Sequence, residues 1–549
     1  MGSPISSGTI LSPRKYMTRL VVSVALCLFL FYYTFPATPY WSKDLETQII
    51  HVQYNSSQQQ QQQQQWASPS PPSPPSPSSS SSPYTRDCSL NRTRLQILQK
   101  QYSLGDSIDY AKRYIRFQRQ DIPRLSITRI SDNLFPQGLQ QIDIQNPPLQ
   151  AQCASPLVVP VSKSAIPESI NASEFLFGIS TTYPRITDPN INPLKEWAHW
   201  LTDGRGNSNG AGLVLRLVDA SEKEIADTQS LLISMGINAK VKASDSSIPM
   251  AKRYLSLLPS LYEDSTRLSR KWLVMCDDDT FFPSMQRLIN RLSEYDNSEP
   301  LYIGTFSEDV NNIQRHGSQA FGGAGVFFTV SLASQIAKLY PTCSTNEKIE
   351  ESNTGWGPQG DILLRKCIYE NTEVRLTMLR DLHQLDIMGD PSGFYESGIA
   401  PLSLHHFKGG MWHNAKPYTG VQVIHTCGED CFLQRFKTED NFIISNGYSV
   451  AYYPHGTNFN VHQMERTFTS APDDYGWNLD FMLEPGRRSL QGTGRKIAWD
   501  IKDAMRESDG SVSQIYVRKN DDIRWVNRDG DGNSKMINRD GIVELVWIP

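Results

Sequence analysis

From Glu174 onward the chain alternates short apolar runs with longer amphipathic ones, and this alternation narrows the fold more than any other feature. "EFLFGIST", "AGLVLRLVDA" and "KWLVMC" are apolar stretches of strand length, whereas "EIADTQSLLISMG" and "AKRYLSLLPSLYE" space their apolar residues as helices do. Strand and helix in alternation predict an α/β layer on a largely parallel sheet. Such sheets bind ligands at the carboxyl ends of their strands. One of the strands ends there in Asp277, Asp278 and Asp279. Adjacent carboxylates repel one another and are costly to desolvate, so a cation, a helix N-terminus or open water must hold them.

On an extended backbone, Asp277 and Asp279 face one side together and Asp278 the other. Two carboxylates side by side form half a site for a hard divalent cation. The alternative is helix capping, with Asp279 or Thr280 near the start of "PSMQRLINRLSEY". Further along, "FGGAGVFFT" supplies Gly322, Gly323 and Gly325, which permit positive φ and close backbone approach. In "GWGPQGDILLRKCI", Asp361 opens an amphipathic helix. Capping accounts for it, yet a helix N-terminus also stabilises the ionised carboxylate that a general base needs. Finally "LSLHHFKGG" sets His405 and His406 at the end of another apolar run, a structural pair or a further metal ligand.

In order and spacing these segments resemble glycosyltransferase family 31, the Fringe-like β-1,3-glycosyltransferases, and within it a fungal and plant branch; the resemblance covers roughly residues 174–415. It implies a GT-A fold, Rossmann-like, with a UDP-sugar donor and Mn2+ or another divalent cation. It also implies a glycan or glycoprotein acceptor, inverting transfer into a β-1,3 linkage, and a type II Golgi membrane protein. Matched residue by residue, Asp279 falls on the metal-binding aspartate and Asp277 on the aspartate near the donor ribose, with His405 on the metal-binding histidine and His406 less favoured. Asp361 falls on the catalytic base. Asp278, Gly322 and Gly323 are expected beside the donor, and Thr181 and Thr182 in "GISTTYPR" resemble first-strand residues that touch the nucleotide. Many members carry an acidic pair before the base helix; here "QGD" leaves Asp361 alone.

The rest of the chain fits around that segment. Arg14, Lys15 and Arg19 precede the uncharged "LVVSVALCLFLFYYTF". At helical rise those residues cover ~24 Å of a ~30 Å hydrocarbon core, and Met17, Tyr40 and Trp41 extend them. A cleaved signal peptide is the competing reading, although "PATPYWS" is bulky for a cleavage site. The expected order is a cytosolic tail (1–19), a signal-anchor (20–36), a low-complexity stem (37–87), a helical and loop extension (88–170), the catalytic domain (171–420) and a small β-rich appendage (421–549). Eight glutamines and a Ser/Pro tract make the stem an extended spacer. Asn55, Asn91 and Asn171 head glycosylation sequons.

The eight cysteines suggest pairs at Cys427–Cys431, Cys343–Cys367 and Cys88–Cys153, with Cys276 a buried thiol. The net charge of −4 and the lack of a basic stripe argue against nucleic acid. "DGDGNSKMINRD" half-resembles a calcium loop, but Ser534 and Asp540 stand where Gly and Glu belong, so a hairpin loop is expected. Two other functions compete: a degenerate glycan-binding domain of the same fold, and a metal-dependent hydrolase, which would want more clustered ligands.

Overall fold

The computed structural model describes residues 88–457, 496–522 and 539–549, together with 460, 464–465, 467–469 and 489–490. The expected anchor, the stem, Asn55 and almost all of the calcium-like segment lie outside these residues. Among the described residues no helix is long and apolar enough to cross a membrane.

A seven-stranded sheet forms the centre of the segment expected to be catalytic. Its strands are β1 (Phe175–Thr182), β2 (Gly212–Val218), β3 (Ala239–Ser244), β4 (Trp272–Met275), β5 (Tyr302–Gly304), β6 (Val326–Thr329) and β7 (Leu376–Met378). They lie in the order β7-β5-β6-β4-β1-β2-β3, all parallel except β6, which runs against β4 and β5. This is the expected GT-A type of α/β fold. Successive side chains of the central strands β1, β2, β4 and β6 enter opposite cores. Phe175, Phe177, Trp272 and Val274 pack with Trp197 and Trp200, whereas Leu176, Leu273 and Met275 pack with Leu258, Leu332 and Leu364. Burial on both faces is why the strands read as unbroken apolar runs.

The first core is covered by helices α1 (Leu194–Leu201) and α4 (Met285–Leu292). The second is covered by α3 (Met250–Tyr262), α5 (Val330–Cys343) and α6 (Gly360–Asn371), while α2 (Glu222–Ser234) joins β2 to β3. The disulfide Cys343–Cys367 ties α5 to α6; Cys88–Cys153 and Cys427–Cys431 form as expected, and Cys276 is a buried thiol. The order of strands reverses between β1 and β4. Their carboxyl ends therefore diverge into the crevice where such folds hold ligands.

The expected helical extension over 88–170 holds one α-helix, Arg92–Tyr102, followed by strands and a short 3-10 turn at Pro167–Ser169. Tyr110, Tyr114 and Phe117 have helical spacing, but Ile108/Tyr110 and Ile115/Phe117 alternate as a strand does, so the local pattern fits both. Pairing decides: Ser107–Gln120 lies parallel to Asp540–Ile548 over nine residue pairs. Aromatic and β-branched residues favour that outcome. The C-terminal region is β-rich as expected, and its strands join the N-terminal ones in a single ten-stranded sheet. Trp547, Phe436 and Leu157 of this sheet share a continuous core with Phe177 of the seven-stranded sheet and Trp200 of α1.

One contact from the C-terminal region bears on the site. Glu429, bracketed by Cys427 and Cys431, accepts from the Ser284 hydroxyl (2.6 Å) and the Gln286 N–H (3.1 Å) at the start of α4. Ser284 is the N-cap residue but makes no cap bond of its own, so a carboxylate distant in sequence does that work. Neither Asp279 nor Thr280 caps this helix.

Candidate active site

The acidic triplet is a turn rather than an extended strand end. Asp277 N–H donates to Thr280 Oγ1 (3.0 Å) and Thr280 N–H to the Asp277 carbonyl (3.2 Å). Asp277 and Asp279 nevertheless face the same way, because Asp278 is drawn to the other side. Arg185 grips Asp278 with Nε (2.5 Å) and Nη2 (2.6 Å), and the Thr181 hydroxyl donates to the same carboxylate. The Trp197 indole donates to the Asp278 carbonyl (3.1 Å). Asp278 and Thr181, both expected beside the donor, thus spend their side chains on each other and on Arg185. Thr182 ends β1 nearby, and its hydroxyl makes no bond to the turn among the described residues.

Backbone stitching brings the separate segments together. The Thr280 hydroxyl donates to the Gly323 carbonyl (2.8 Å), and the Ser403 hydroxyl to that of Ala324 (2.7 Å). Phe281 and Leu404 exchange both backbone bonds, at 2.9 and 2.8 Å. His405 follows directly, with Nε2 3.0 Å from Asp279 Oδ1 and 3.6 Å from Asp277 Oδ2. One ligand atom from each of Asp277, Asp279 and His405 fits within 4.8 Å of the others. Two carboxylates and an imidazole suit Mn2+ or a similar divalent cation. The Asp277 side chain is 47% exposed, which leaves the cluster open to a ligand from the cleft, while His405 is buried. The residues present fit the expected metal.

Electrostatics agree with that fit. Burial works against a charged ring at His405, but Asp279 and then Asp277 hold its pKa up at about 9. Burial likewise opposes the Asp279 carboxylate, and His405 overcomes it, pulling the group well below the usual carboxylate range. An imidazolium thus closes the cluster, with its positive charge where a cation would sit.

His406 has a different task. At φ +52° its Nδ1 lies 2.8 Å from Asp386 Oδ1 while its ring stacks on Trp412 at 4.6 Å. Asn312 (2.8 Å) and the Ser307 hydroxyl also bond Asp386, so this histidine anchors the loop.

The glycine segment works through close approach. Only Gly325 has positive φ (+90°). A Cβ on Gly323 would lie 2.1 Å from Cε1 of His405, and one on Gly322 would lie 2.5 Å from the Tyr254 hydroxyl and 3.1 Å from Asp361 Oδ1. Both glycines therefore seat site residues. Asp361 lies in the first turn of α6, whose N-cap is Gln359, so capping is not its role. Asp361 Oδ1 and the Tyr254 hydroxyl are buried without a well-aligned hydrogen-bond partner. Burial first, and then the Asp277 charge, raise the Asp361 carboxyl to about 7, against the Tyr254 hydroxyl and the Gly322 N–H.

Sequence reasoning missed Arg185 and Tyr254, and offered Thr280 only as a helix cap. Arg185 follows the strand-end threonines, a position that does hint at the cleft. Tyr254 reads as one more residue on an amphipathic helix, and nothing local marks its approach to Asp361.

Residues 219–416 match the family described as Fringe-like. A search of curated protein sequences returns no match. Among solved structures, the chain is similar to the glycosyltransferase GlyE of Streptococcus pneumoniae TIGR4 (15% identity, 38% of this chain and 45% of that one, TM-score 0.25). It is also similar to the galactosyltransferase LgtC solved with donor and acceptor sugar analogues (12% identity, 40% and 77%, TM-score 0.27). A third is the mannosyltransferase PcManGT of Pyrobaculum calidifontis in complex with GDP-Man and Mn2+ (11% identity, 43% and 63%, TM-score 0.24). The chain thus spans less than half the length of GlyE, and overlaps this slight bear on no question of activity. The sheet order, the cleft and the match of residues 219–416 to the Fringe-like family agree on a GT-A type of fold for this region.

Proposed function

We propose that this chain is a metal-dependent, inverting glycosyltransferase that moves a sugar from a UDP-sugar to a glycan hydroxyl, forming a β-1,3 linkage. The observation that carries the reading is the convergence of Asp277, Asp279 and His405 at a strand end, with Asp361 seated on the adjoining Gly322. When bound there, a divalent cation such as Mn2+ supplies Lewis-acid stabilisation of charge on the departing UDP. Asp277, Asp279 and His405 would hold it, while Arg185 and Thr181 keep Asp278 out of the way. Asp361 accepts the acceptor hydroxyl's proton as that oxygen attacks the anomeric carbon and the bond to UDP breaks. A single displacement of this kind inverts an α-linked donor into a β-glycoside.

A lumenal setting in the Golgi, behind an uncleaved N-terminal anchor, belongs to the same reading. Its supports are the basic flank before residue 20, the sequons at Asn91 and Asn171, both exposed, and three disulfides, which persist in oxidising compartments.

The test is turnover of a panel of UDP-sugars by the full chain with Mn2+, repeated in excess EDTA. Loss of turnover on chelation is the expected result. Turnover undiminished by chelator rejects the metal assignment, and UDP binding without any turnover favours a degenerate glycan-binding domain.

A further inference from the structure

We propose that the indole of Trp356 is the platform on which the acceptor sugar stacks. The proposal rests on the function argued above and assigns a place to its second substrate. Among the described residues Trp356 is the one tryptophan left exposed, at 74%. The others pack in the first core or, as Trp412 does, against His406.

The loop that carries it is built rather than slack. Asn353 and Pro358 pair across its base, and the Asn353 side-chain oxygen accepts from the N–H groups of Gly355 (3.0 Å) and Gly357 (3.1 Å). Gln359 donates its backbone N–H to the Ser352 carbonyl (3.2 Å) and its side chain to the Gly357 carbonyl (2.9 Å). Thr354 is tied to His316 at 3.1 Å. Gly355 and Gly357, at φ +95° and +91°, take conformations that side chains resist, and a Cβ at either would meet nothing within 4 Å. The tip therefore stands clear of its surroundings. The Arg315 guanidinium lies over the indole at 5.6 Å from its centre and supports one face, so the opposite face is free.

Position supplies the rest. The loop runs through the N-cap Gln359 into the first turn of α6, where Asp361 sits. Five peptide steps bound the Trp356–Asp361 separation at ~18 Å, and the closed loop shortens it further. The glycine segment sets Asp361 beside the Asp277, Asp279 and His405 cluster, so an acceptor whose hydroxyl meets Asp361 from the side away from that cluster passes within reach of this loop. A pyranose presents a face of C–H groups that packs on an exposed indole, and the large aromatic surface makes that contact worth having.

The experiment uses the full chain with Mn2+ and UDP, and lactose, N-acetyllactosamine, chitobiose and α-mannobiose as probes. Saturation-transfer NMR reads sugar binding, and calorimetry reads UDP binding. At least one probe should bind the natural chain. Trp356→Ala should weaken that probe ~10-fold or more and Trp356→Phe much less, with UDP affinity unchanged in both. Three results overturn the platform: no probe binds the natural chain, Trp356→Ala binds the probe as well as the natural chain, or UDP affinity falls in parallel, which would give Trp356 to the nucleotide. Failure of the proposed function reads differently. Probe binding that depends on Trp356 in a chain that turns over no UDP-sugar leaves the platform standing and removes the enzyme.

Discussion

A methyl group on residue 323 would fall 2.1 Å from Cε1 of His405, closer than two carbon atoms can approach. Gly323→Ala should therefore push the imidazole away from Asp277 and Asp279 without altering any ligand. The expected loss in Mn2+ affinity is ~10–100-fold, the size of effect seen when a residue that orients a ligand is disturbed. Calorimetric titration with Mn2+ checks it, and unchanged affinity would mean that His405 is not a ligand.

His405 also predicts a pH dependence. Its pKa in the fold, about 9, lies above the ordinary value of 6.5, so its charged form stabilises the metal-free protein below about 6.5. That contribution disappears as pH rises through about 9. A metal must displace the same proton, so Mn2+ affinity should climb from pH 6.5 to 9 with one proton released per cation. Titration in buffers of different ionisation enthalpy measures the release; a pH-independent affinity would contradict the ligand set.

Asp361→Asn should abolish sugar transfer, by ~10²–10⁴-fold if the base acts as such groups usually do, and leave UDP and Mn2+ binding near normal. It should also make the metal-free protein more stable at pH 8. The carboxyl's folded pKa of about 7 exceeds its ordinary 3.8, so stability declines as pH rises between those values, and the amide removes that decline. The melting temperature of the variant should match the natural chain at pH 4 and exceed it at pH 8. Equal melting temperatures at both would show that the buried carboxyl carries no strain.

Glu429→Ala strips the first N–H groups of α4 of their acceptor and should cost ~1–2 kcal/mol. Glu429→Gln, which keeps an oxygen there, should recover most of it. Thermal denaturation of the two variants gives the comparison, and an alanine variant as stable as the natural chain would remove Glu429 from the account.

The catalytic sheet was legible in the sequence because its strands are buried on both faces and its helices on one, and both are local patterns. The cluster Asp277, Asp279 and His405 was legible because each residue ends an apolar run, where α/β sheets keep their ligands. Asp278 faces away from Asp277 and Asp279 as expected, but for another cause. Arg185, not strand geometry, turns it away. For Gly322 and Gly323 the expected close approach holds and the positive φ does not, while the residues approached, Tyr254, Asp361 and His405, were not legible. Ser107–Gln120 was misread because nothing within it reveals that its partner lies at 540–548.

That pairing has a consequence for how the protein is made. A ribosome that has finished Ser107–Gln120 has produced an interior strand of a sheet, one neighbour of which will not exist for over four hundred further residues. The catalytic sheet, whose strands all fall between 175 and 378, can assemble in the meantime from nearby segments. The early strand meanwhile waits with a bare edge, alternating Ile, Tyr and Phe, which is the kind of surface that draws foreign strands. Quality control during synthesis therefore has its longest and most exposed task at this early strand, far from the chemistry.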